Sequence, residues 1–260
     1  MKINRAALLL LCAVPLAGCG ALGRKAADYY LGKAAKTVSA TNPPQAEIEA
    51  AYGYIDKAIG YEPGSQRAVE LLEDLSRLAS KTGYAGGQAL ESAALRKALA
   101  GSPYNWHARE SLINFYAERG DTAGLDAMAD QSQELAVSKD PAARYCATLA
   151  VLAARASALP WLESEAYLAI NKTPSAFLDK TAAYVAAAER IPAMKAEAEK
   201  QAASDPSLKR AAPPELVSAA EVAAADALRD TAGASAAIDF NPRVASDAVF
   251  KRAVEMLVQG

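Results

Sequence analysis

Histidine, cysteine and aromatic residues are scarce in this 260-residue chain, which contains one His, three Cys and two Trp, with 7% aromatic residues in all. Two of the cysteines, Cys12 and Cys19, belong to an N-terminal segment considered below, and the one histidine and one remaining cysteine cannot supply a zinc site; no calcium-loop spacing appears. We therefore expect no metal and no cofactor. Neither sign of charge dominates, since 28 Lys and Arg face 30 Asp and Glu. This balance excludes a strongly basic nucleic-acid-binding protein.

The sequence also offers few residues that could form a catalytic site. A Ser-His-Asp or Cys-His site would have to use His107, which lies beside Trp106 near the start of a predicted helix with no nucleophile motif nearby. No glycine-rich phosphate loop follows a strand, because no run of alternating β-branched and aromatic residues appears. We predict that the protein is not an enzyme.

Apolar residues are abundant, at 52% of the chain, and alanine fills roughly a quarter of all positions, well above its usual share. Their spacing follows the 3.6-residue period of an amphipathic helix. Two segments show this most clearly. In residues 66–80 the apolar positions are Ala68, Leu71, Leu72, Leu75, Leu78 and Ala79. In residues 44–60 they are Ile48, Ala51, Tyr52, Ile55, Ala58 and Ile59. The sequence therefore predicts an all-α fold.

The N-terminus has the order of a secretory signal. Lys2 and Arg5 precede an apolar run, Ala6–Leu16, which is too short to span a bilayer as a mature helix. The run ends in Leu16-Ala17-Gly18-Cys19. This tetrapeptide resembles the lipobox of bacterial lipoproteins, in which the signal peptidase recognises the three residues before the cysteine and the thiol receives lipid.

The resemblance implies a processed and lipidated chain. Residues 1–18 would be the signal peptide, with Leu16, Ala17 and Gly18 recognised by the peptidase and Cys19 as the lipid-attachment residue. The membrane is then a partner through this lipid. Gly20, rather than Asp, follows the cysteine, which favours the periplasmic face of the outer membrane. Processing also removes Cys12 and leaves Cys146 as the one free thiol, which we expect to be a buried packing residue.

Prolines recur through the chain at intervals of 40, 38, 33, 32 and 36 residues. They are Pro63, Pro103, Pro141, Pro174, Pro206 and Pro242. Five of the six have alanine five positions earlier. These segments resemble the ends of tetratricopeptide (TPR) repeats, whose period near 34 fits a two-helix unit. The resemblance implies a TPR-like α-solenoid of stacked helix pairs, with an irregular α-helical bundle as the alternative.

The same pattern predicts how successive helices begin. In five of the six cases the residue before the proline can supply a capping oxygen, and the proline takes the first helical position, where it needs no N–H. These residues are Ser102, Asp140, Thr173, Asp205 and Asn241. The domains expected are a signal peptide over residues 1–18 and a lipidated tether over 19–44 with a short helix, Lys25–Val38. A TPR-like array over 45–210 and a C-terminal helical pair over 211–260 follow, the last helix being Pro242–Val258.

Tyrosine is the most frequent aromatic residue, with eleven copies, and it suits interfaces because it buries area and keeps a polar end. The predicted interaction surface consists of Tyr52, Tyr54, Tyr61, Trp106 and Tyr116. Together these features predict a cell-envelope lipoprotein that acts as a scaffold or adaptor for an envelope protein whose identity the sequence does not give. The alternative is a transporter-associated carrier that holds a small apolar ligand or lipid in a helical cavity.

Overall fold

The computed structural model of the chain describes residues 5–169, 174–237 and 248. Within these ranges the regular elements are helices, with no strand among them, which confirms the predicted all-α class. The amphipathic periodicity and the high alanine content account for this result, since both favour helix. The arrangement of stacked pairs along the whole chain stays a prediction.

Ten helices lie in the described part of the chain. They are α1 (Arg5–Val38), α2 (Gln45–Tyr61), α3 (Gln66–Thr82), α4 (Gly87–Gly101), α5 (Trp106–Ala117), α6 (Thr122–Leu135), α7 (Pro141–Ala169), α8 (Pro174–Ser204), α9 (Leu208–Ala211) and α10 (Pro214–Ala237). They fall into two compact units, Met1–Ser111 and Leu112–Gly260. The division between the units lies inside the array predicted for residues 45–210.

In the first unit, α1 is longer than the predicted Lys25–Val38 helix, because it begins at Arg5. Ala27, Leu31 and Ala34 are fully buried and form one stripe at helical spacing. This stripe packs against α2 and α3. The helical part of the predicted tether thus belongs to the folded core of the first unit.

The predicted apolar stripe of α2 is confirmed at every position. Its buried residues are Ile48, Ala51, Tyr52, Ile55, Ala58 and Ile59. On α3 four of the six predicted apolar positions are buried, namely Ala68, Leu72, Leu75 and Ala79. The other two, Leu71 and Leu78, are half-buried, and Val69 is buried in addition. Gly83 ends α3 in the left-handed conformation at φ 71°, the backbone region that glycine enters most easily.

The predicted start of helices at proline is confirmed at one site. Helix α7 begins at Pro141, and the Asp140 carboxylate accepts a hydrogen bond from the Ala142 N–H at 3.0 Å. Helix α8 is described from Pro174 onward, but residues 170–173, which include the predicted cap Thr173, lie outside the described residues, as does Pro242. The predicted helix starts at Pro174 and Pro242 therefore stay predictions.

At Pro63, Pro103 and Pro206 the prediction is wrong, because the next helix begins two or three residues later. Each proline is the second residue of a four-residue turn, a position that its fixed φ suits. The turns are closed by backbone hydrogen bonds from Ser65 to Glu62 at 3.1 Å, from Asn105 to Ser102 at 3.0 Å and from Leu208 to Asp205 at 3.1 Å. The helix caps accordingly move to Ser65 and Asn105, whose oxygens accept from Ala68 N–H and Ala108 N–H.

The α2–α3 turn and the α4–α5 turn pack directly on each other. The ring of Pro63 lies against Gly101, where an added Cβ would be 2.5 Å from Pro63 Cγ. The Asn105 side chain donates to the Pro63 carbonyl at 2.8 Å and accepts from the Ala108 N–H at 3.1 Å. One buried asparagine therefore caps α5 and also fixes it to the preceding turn.

In the second unit α7 is the central helix, which packs against α6, α8, α9 and α10. Its buried residues are mostly small, and small side chains let neighbouring helix axes approach closely. They include Cys146, Ala147, Ala150, Ala153, Ala154 and Ala156. Helix α10 begins at Pro214, so the predicted linker, Ala211–Pro214, joins two helices. The predicted helix Pro242–Val258 lies, apart from Ala248, outside the described residues.

One stretch of α7, Pro141–Leu162, is long and apolar enough to cross a membrane by length and composition, the one such stretch in the described residues. The most apolar 18 residues of this stretch are 67% buried within the structure. A central helix packed by neighbours on several sides is apolar for that reason alone. We therefore attribute its composition to packing.

Replacing Gly101 by Ala tests the contact between the two turns. The added methyl group would meet the Pro63 ring, so we expect Gly101→Ala to destabilise the protein by about 1–3 kcal/mol despite the better helix propensity of alanine. Gly53→Ala is the matched control, since nothing lies within 4 Å of its added Cβ. We expect that variant to gain about 0.5–1 kcal/mol. Thermal and urea unfolding followed by circular dichroism compare the two, and equal shifts would contradict the packed-turn contact.

Candidate functional site

The predicted lipid-attachment residue, Cys19, lies on α1, together with Leu16, Ala17 and Gly18. Their side chains are outside the part of the chain that the structure describes. Lipid attachment at Cys19 and recognition of the three preceding residues therefore stay predictions.

Two residues of the predicted interaction surface lie inside their units. Tyr52 is 3% exposed, its hydroxyl shares a hydrogen bond with Ser76 Oγ at 3.0 Å, and its ring stacks on Tyr84 at 6.4 Å. Burial raises the pKa of Tyr52 to about 12. Tyr116 is 7% exposed and packs closely against Gly124. Helical register places both tyrosines on the buried stripe, so they are packing residues and not part of a surface.

Tyr54 and Tyr61 belong to a surface cluster on the first unit that also includes residues of α1. We define the Tyr–Lys face as Tyr29, Tyr30, Lys33, Tyr54, Lys57 and Tyr61. Tyr30 is central, with ring centroids 6.2 Å from Tyr54, 6.0 Å from Tyr61 and 5.3 Å from Tyr29. The outer rings are open to solvent, Tyr29 at 59% and Tyr61 at 53% exposure. Four tyrosines from two helices thus form one continuous aromatic surface.

Two lysines lie over these rings. The Lys33 ammonium is 4.7 Å from the Tyr29 ring centroid and 5.2 Å from that of Tyr54, and the Lys57 ammonium is 5.6 Å from that of Tyr30. A ring face attracts a cation at such distances. A hydrogen bond with Tyr29 also raises the pKa of Lys33 above its usual value. Lys33 therefore remains charged at neutral pH, and both ammonium groups lie against the aromatic surface.

The carboxylates nearest in sequence to this face are paired with other cations. Asp28 lies 3.5 Å from Arg67, Asp56 lies 2.7 Å from Lys97, and Glu62 lies 3.9 Å from Arg24. Within the described residues, no carboxylate lies at ion-pair distance from Lys33 or Lys57. The Tyr–Lys face thus presents two lysine ammonium groups that no carboxylate of the described residues pairs at ion-pair distance.

A second exposed aromatic group lies on the α4–α5 turn. Tyr104 is 51% exposed, and its ring meets the half-buried Trp106 ring edge-on at a centroid distance of 6.2 Å. We call Tyr104 and Trp106, with Asn105 between them, the aromatic turn. Asn105 is 5% exposed, and its side chain donates a hydrogen bond to the Pro63 carbonyl. This bond fixes the aromatic turn to the preceding α2–α3 turn.

Arg109 supports the aromatic turn from the next turn of α5. It is 2% exposed, and one Nη donates to the Pro103 carbonyl at 2.9 Å. Its guanidinium carbon lies 5.7 Å from the Trp106 ring centroid. Burial lowers the pKa of Arg109 to about 10, which leaves it charged at neutral pH. A buried cation thus holds both the backbone and the ring of the aromatic turn.

The second unit contains a cleft of about 190 Å³ among α7, α8 and α10. Its apolar lining includes Tyr145, Leu149, Leu152 and Val217, and its charged lining includes Lys195 and Glu221. Cavities that hold organic ligands usually measure about 300–1,000 Å³. This cleft is smaller than that range and is lined by both charged and apolar groups.

Comparison of the chain with protein-family models, with curated proteins and with solved structures finds no match. The residues and their geometry are therefore the basis for inferring function.

Three of these aromatic residues, Tyr54, Tyr61 and Trp106, belong to the interaction surface predicted from the sequence. Tyr29 and Tyr30 do not, because their place on the same surface depends on the packing of α1 against α2. A usable signal was present, because Tyr29 and Lys33 are four residues apart and therefore adjacent on a helix. Tyr104 was also not predicted. It follows Pro103 in the four-residue turn, and its side chain lies outside the core.

Cys146 is buried as predicted, with 0% exposure and its thiol 3.6 Å from the Ala211 carbonyl. Burial raises its pKa to about 12, so almost none of the reactive thiolate is present near neutral pH. We expect alkylation of Cys146 at about pH 8 to be at least about 100-fold slower in the folded protein than in concentrated guanidinium. Mass spectrometry of the peptide containing Cys146 measures both rates, and rapid labelling of the folded protein would contradict the assigned burial.

Proposed function

We propose that this chain is a lipid-anchored protein of the bacterial cell envelope that binds a protein partner and does not catalyse a reaction. The lipobox-like sequence ending at Cys19 supports the anchor, and Gly20 after it favours the periplasmic face of the outer membrane. The all-α fold is compatible with a TPR-like adaptor, because packed helix pairs offer grooves and faces for a peptide or a partner helix.

The aromatic turn is the observation on which the binding role depends. Tyr and Trp dominate the binding energy of protein interfaces, and Tyr104 and Trp106 are accessible side by side. Asn105 and Arg109 hold this turn in one conformation, so that little entropy is lost when a partner binds. A buried arginine that positions an exposed tyrosine and a half-buried tryptophan is better explained by recognition than by packing.

The alternative role, a carrier of an apolar ligand, has less support. The cleft beside Tyr145 is small, and two lysines and two glutamates contribute to its lining. An apolar ligand would have to desolvate these charges without pairing them, which is unfavourable.

Replacement of Cys19 tests the anchor. We expect Cys19→Ser to abolish palmitate labelling and to release the protein from the membrane fraction, because the thiol to which the lipid is attached is then missing. Cys12→Ser is the matched control, since Cys12 lies in the signal peptide and should leave both properties unchanged. Palmitate incorporation into the Cys19→Ser protein would contradict the anchor.

A photo-crosslinking amino acid tests the partner site in living cells. With the probe at position 104 we expect crosslinks to one or a few discrete envelope proteins, and with the probe at the exposed position 88 on α4 we expect none. Trp106→Ala should reduce the crosslink from position 104 by about tenfold, the usual effect of losing an interface aromatic residue. Trp106→Phe should restore much of it.

Circular dichroism must show that Trp106→Ala remains folded, which separates recognition from stability. The proposal is wrong if position 104 gives no protein crosslink, or if positions 104 and 88 give the same pattern.

A further inference from the structure

We infer that the Tyr–Lys face rests on the anionic lipid headgroups of the leaflet that holds the protein. This inference depends on the proposed anchor at Cys19 and assigns a second, electrostatic contact to the same membrane. The aromatic turn remains the proposed site for a protein partner.

The first observation is the distribution of charge. Residues 19–38 contain four basic residues, Arg24, Lys25, Lys33 and Lys36, and one acidic residue, Asp28. Residues 39–260 contain 22 basic and 29 acidic residues. The helix that follows the proposed lipid is therefore positive, at +3, while the rest of the mature chain is negative, at −7. Such a basic segment beside an anchor is attracted to anionic lipid, and the acidic remainder is repelled.

The second observation is the continuity of α1. Cys19 and Lys33 lie on one unbroken helix, about 21 Å apart at 1.5 Å per residue. An upright helix would hold Lys33 about two Debye lengths or more from the headgroups, where attraction is screened. A helix that lies along the surface brings the Tyr–Lys face into contact with them. The charge of α1 therefore favours the lying orientation.

The third observation is the chemistry of the face. Tyrosine is enriched at membrane interfaces because its ring enters the apolar boundary while its hydroxyl stays in water. Lys33 and Lys57 are held on these rings, and the neighbouring acids are paired elsewhere. Leu22, on the same helix, is 69% exposed. This mixture of tyrosine, unpaired lysine and exposed leucine is typical of an interfacial contact.

Lysine labelling of the whole protein in vesicles tests the inference. The protein is purified from membranes in detergent, returned to vesicles of phosphatidylcholine alone or mixed with phosphatidylglycerol, and treated briefly with a water-soluble amine reagent. We expect the labelling rate of Lys33 and Lys57 to fall about fivefold in the anionic vesicles. This factor corresponds to the free energy that attracts one lysine to an anionic membrane surface. Lys81, exposed at the end of α3, should label equally in both. About 0.5 M NaCl should remove the protection.

A double variant shows whether the two lysines cause the contact. In Lys33→Gln with Lys57→Gln, we expect the anionic vesicles to protect the neighbouring Lys25 less than in the wild-type protein. Lys81→Gln with Lys139→Gln removes the same charge from exposed positions outside the face and should leave the protection of Lys25 unchanged.

The outcomes separate this inference from the lipid anchor. Protein that floats with both vesicle types but labels equally in both overturns the inference and leaves the anchor standing. Protein that floats with anionic vesicles alone supports the face and contradicts the anchor, and protein that floats with neither contradicts both. Protection of Lys33 and Lys57 by an added envelope protein, without protection by anionic lipid, would overturn the inference in favour of a protein contact.

Discussion

The burial of alanine where the main helices pack together is the constraint on which both units depend. Alanine contributes little apolar area, so the helices must come close together for dispersion contacts to accumulate. Ala27, Ala51 and Ala58 in the first unit, and Ala147, Ala150 and Ala154 in the second, are almost entirely buried. Close approach of the helix axes leaves little room for large rings in the core. Of the large tyrosines, Tyr52 and Tyr145 find internal positions, while Tyr29, Tyr61 and Tyr104 lie mostly on the outside.

The helices and their buried faces follow from local rules, and this is why they could be predicted. The six apolar positions expected on α2 are its six buried residues, since a 3.6-residue period suffices to define one face. The starts of helices at the prolines were predicted correctly only in part, because some of these prolines lie in turns before the helix. Proline suits both the first helical position and the second position of a turn, and the choice at Pro63 depends on the contact with Gly101, about forty residues away in sequence. Such distant contacts are not visible in a local pattern.

The Tyr–Lys face could not be predicted for the same reason. Tyr30 meets Tyr54 and Tyr61 because α1 packs on α2, and nothing in either segment alone specifies that pairing. Composition also gave no guide to which tyrosines are buried, because Tyr52 and Tyr54 are two residues apart on one helix and point to different sides. The fold class is thus a matter of local sequence, as is the proposed lipid anchor, whereas the surfaces available for binding are products of tertiary packing.

The two surfaces of the first unit differ in a way that suits different partners. At the aromatic turn the cation is internal, since Arg109 is buried and donates to the Pro103 carbonyl, while the Tyr104 ring is exposed and the Trp106 ring half-buried. On the Tyr–Lys face the rings support exposed ammonium groups, while Asp28, Asp56 and Glu62 are paired with cations outside it. A partner that buries the first surface gains mainly from apolar contact, which persists at high salt. A partner at the second gains from charge and must be anionic. With the proposed lipid on Cys19, the protein would have one extended anionic surface within reach, and the helix that follows Cys19 is the positively charged part of the chain.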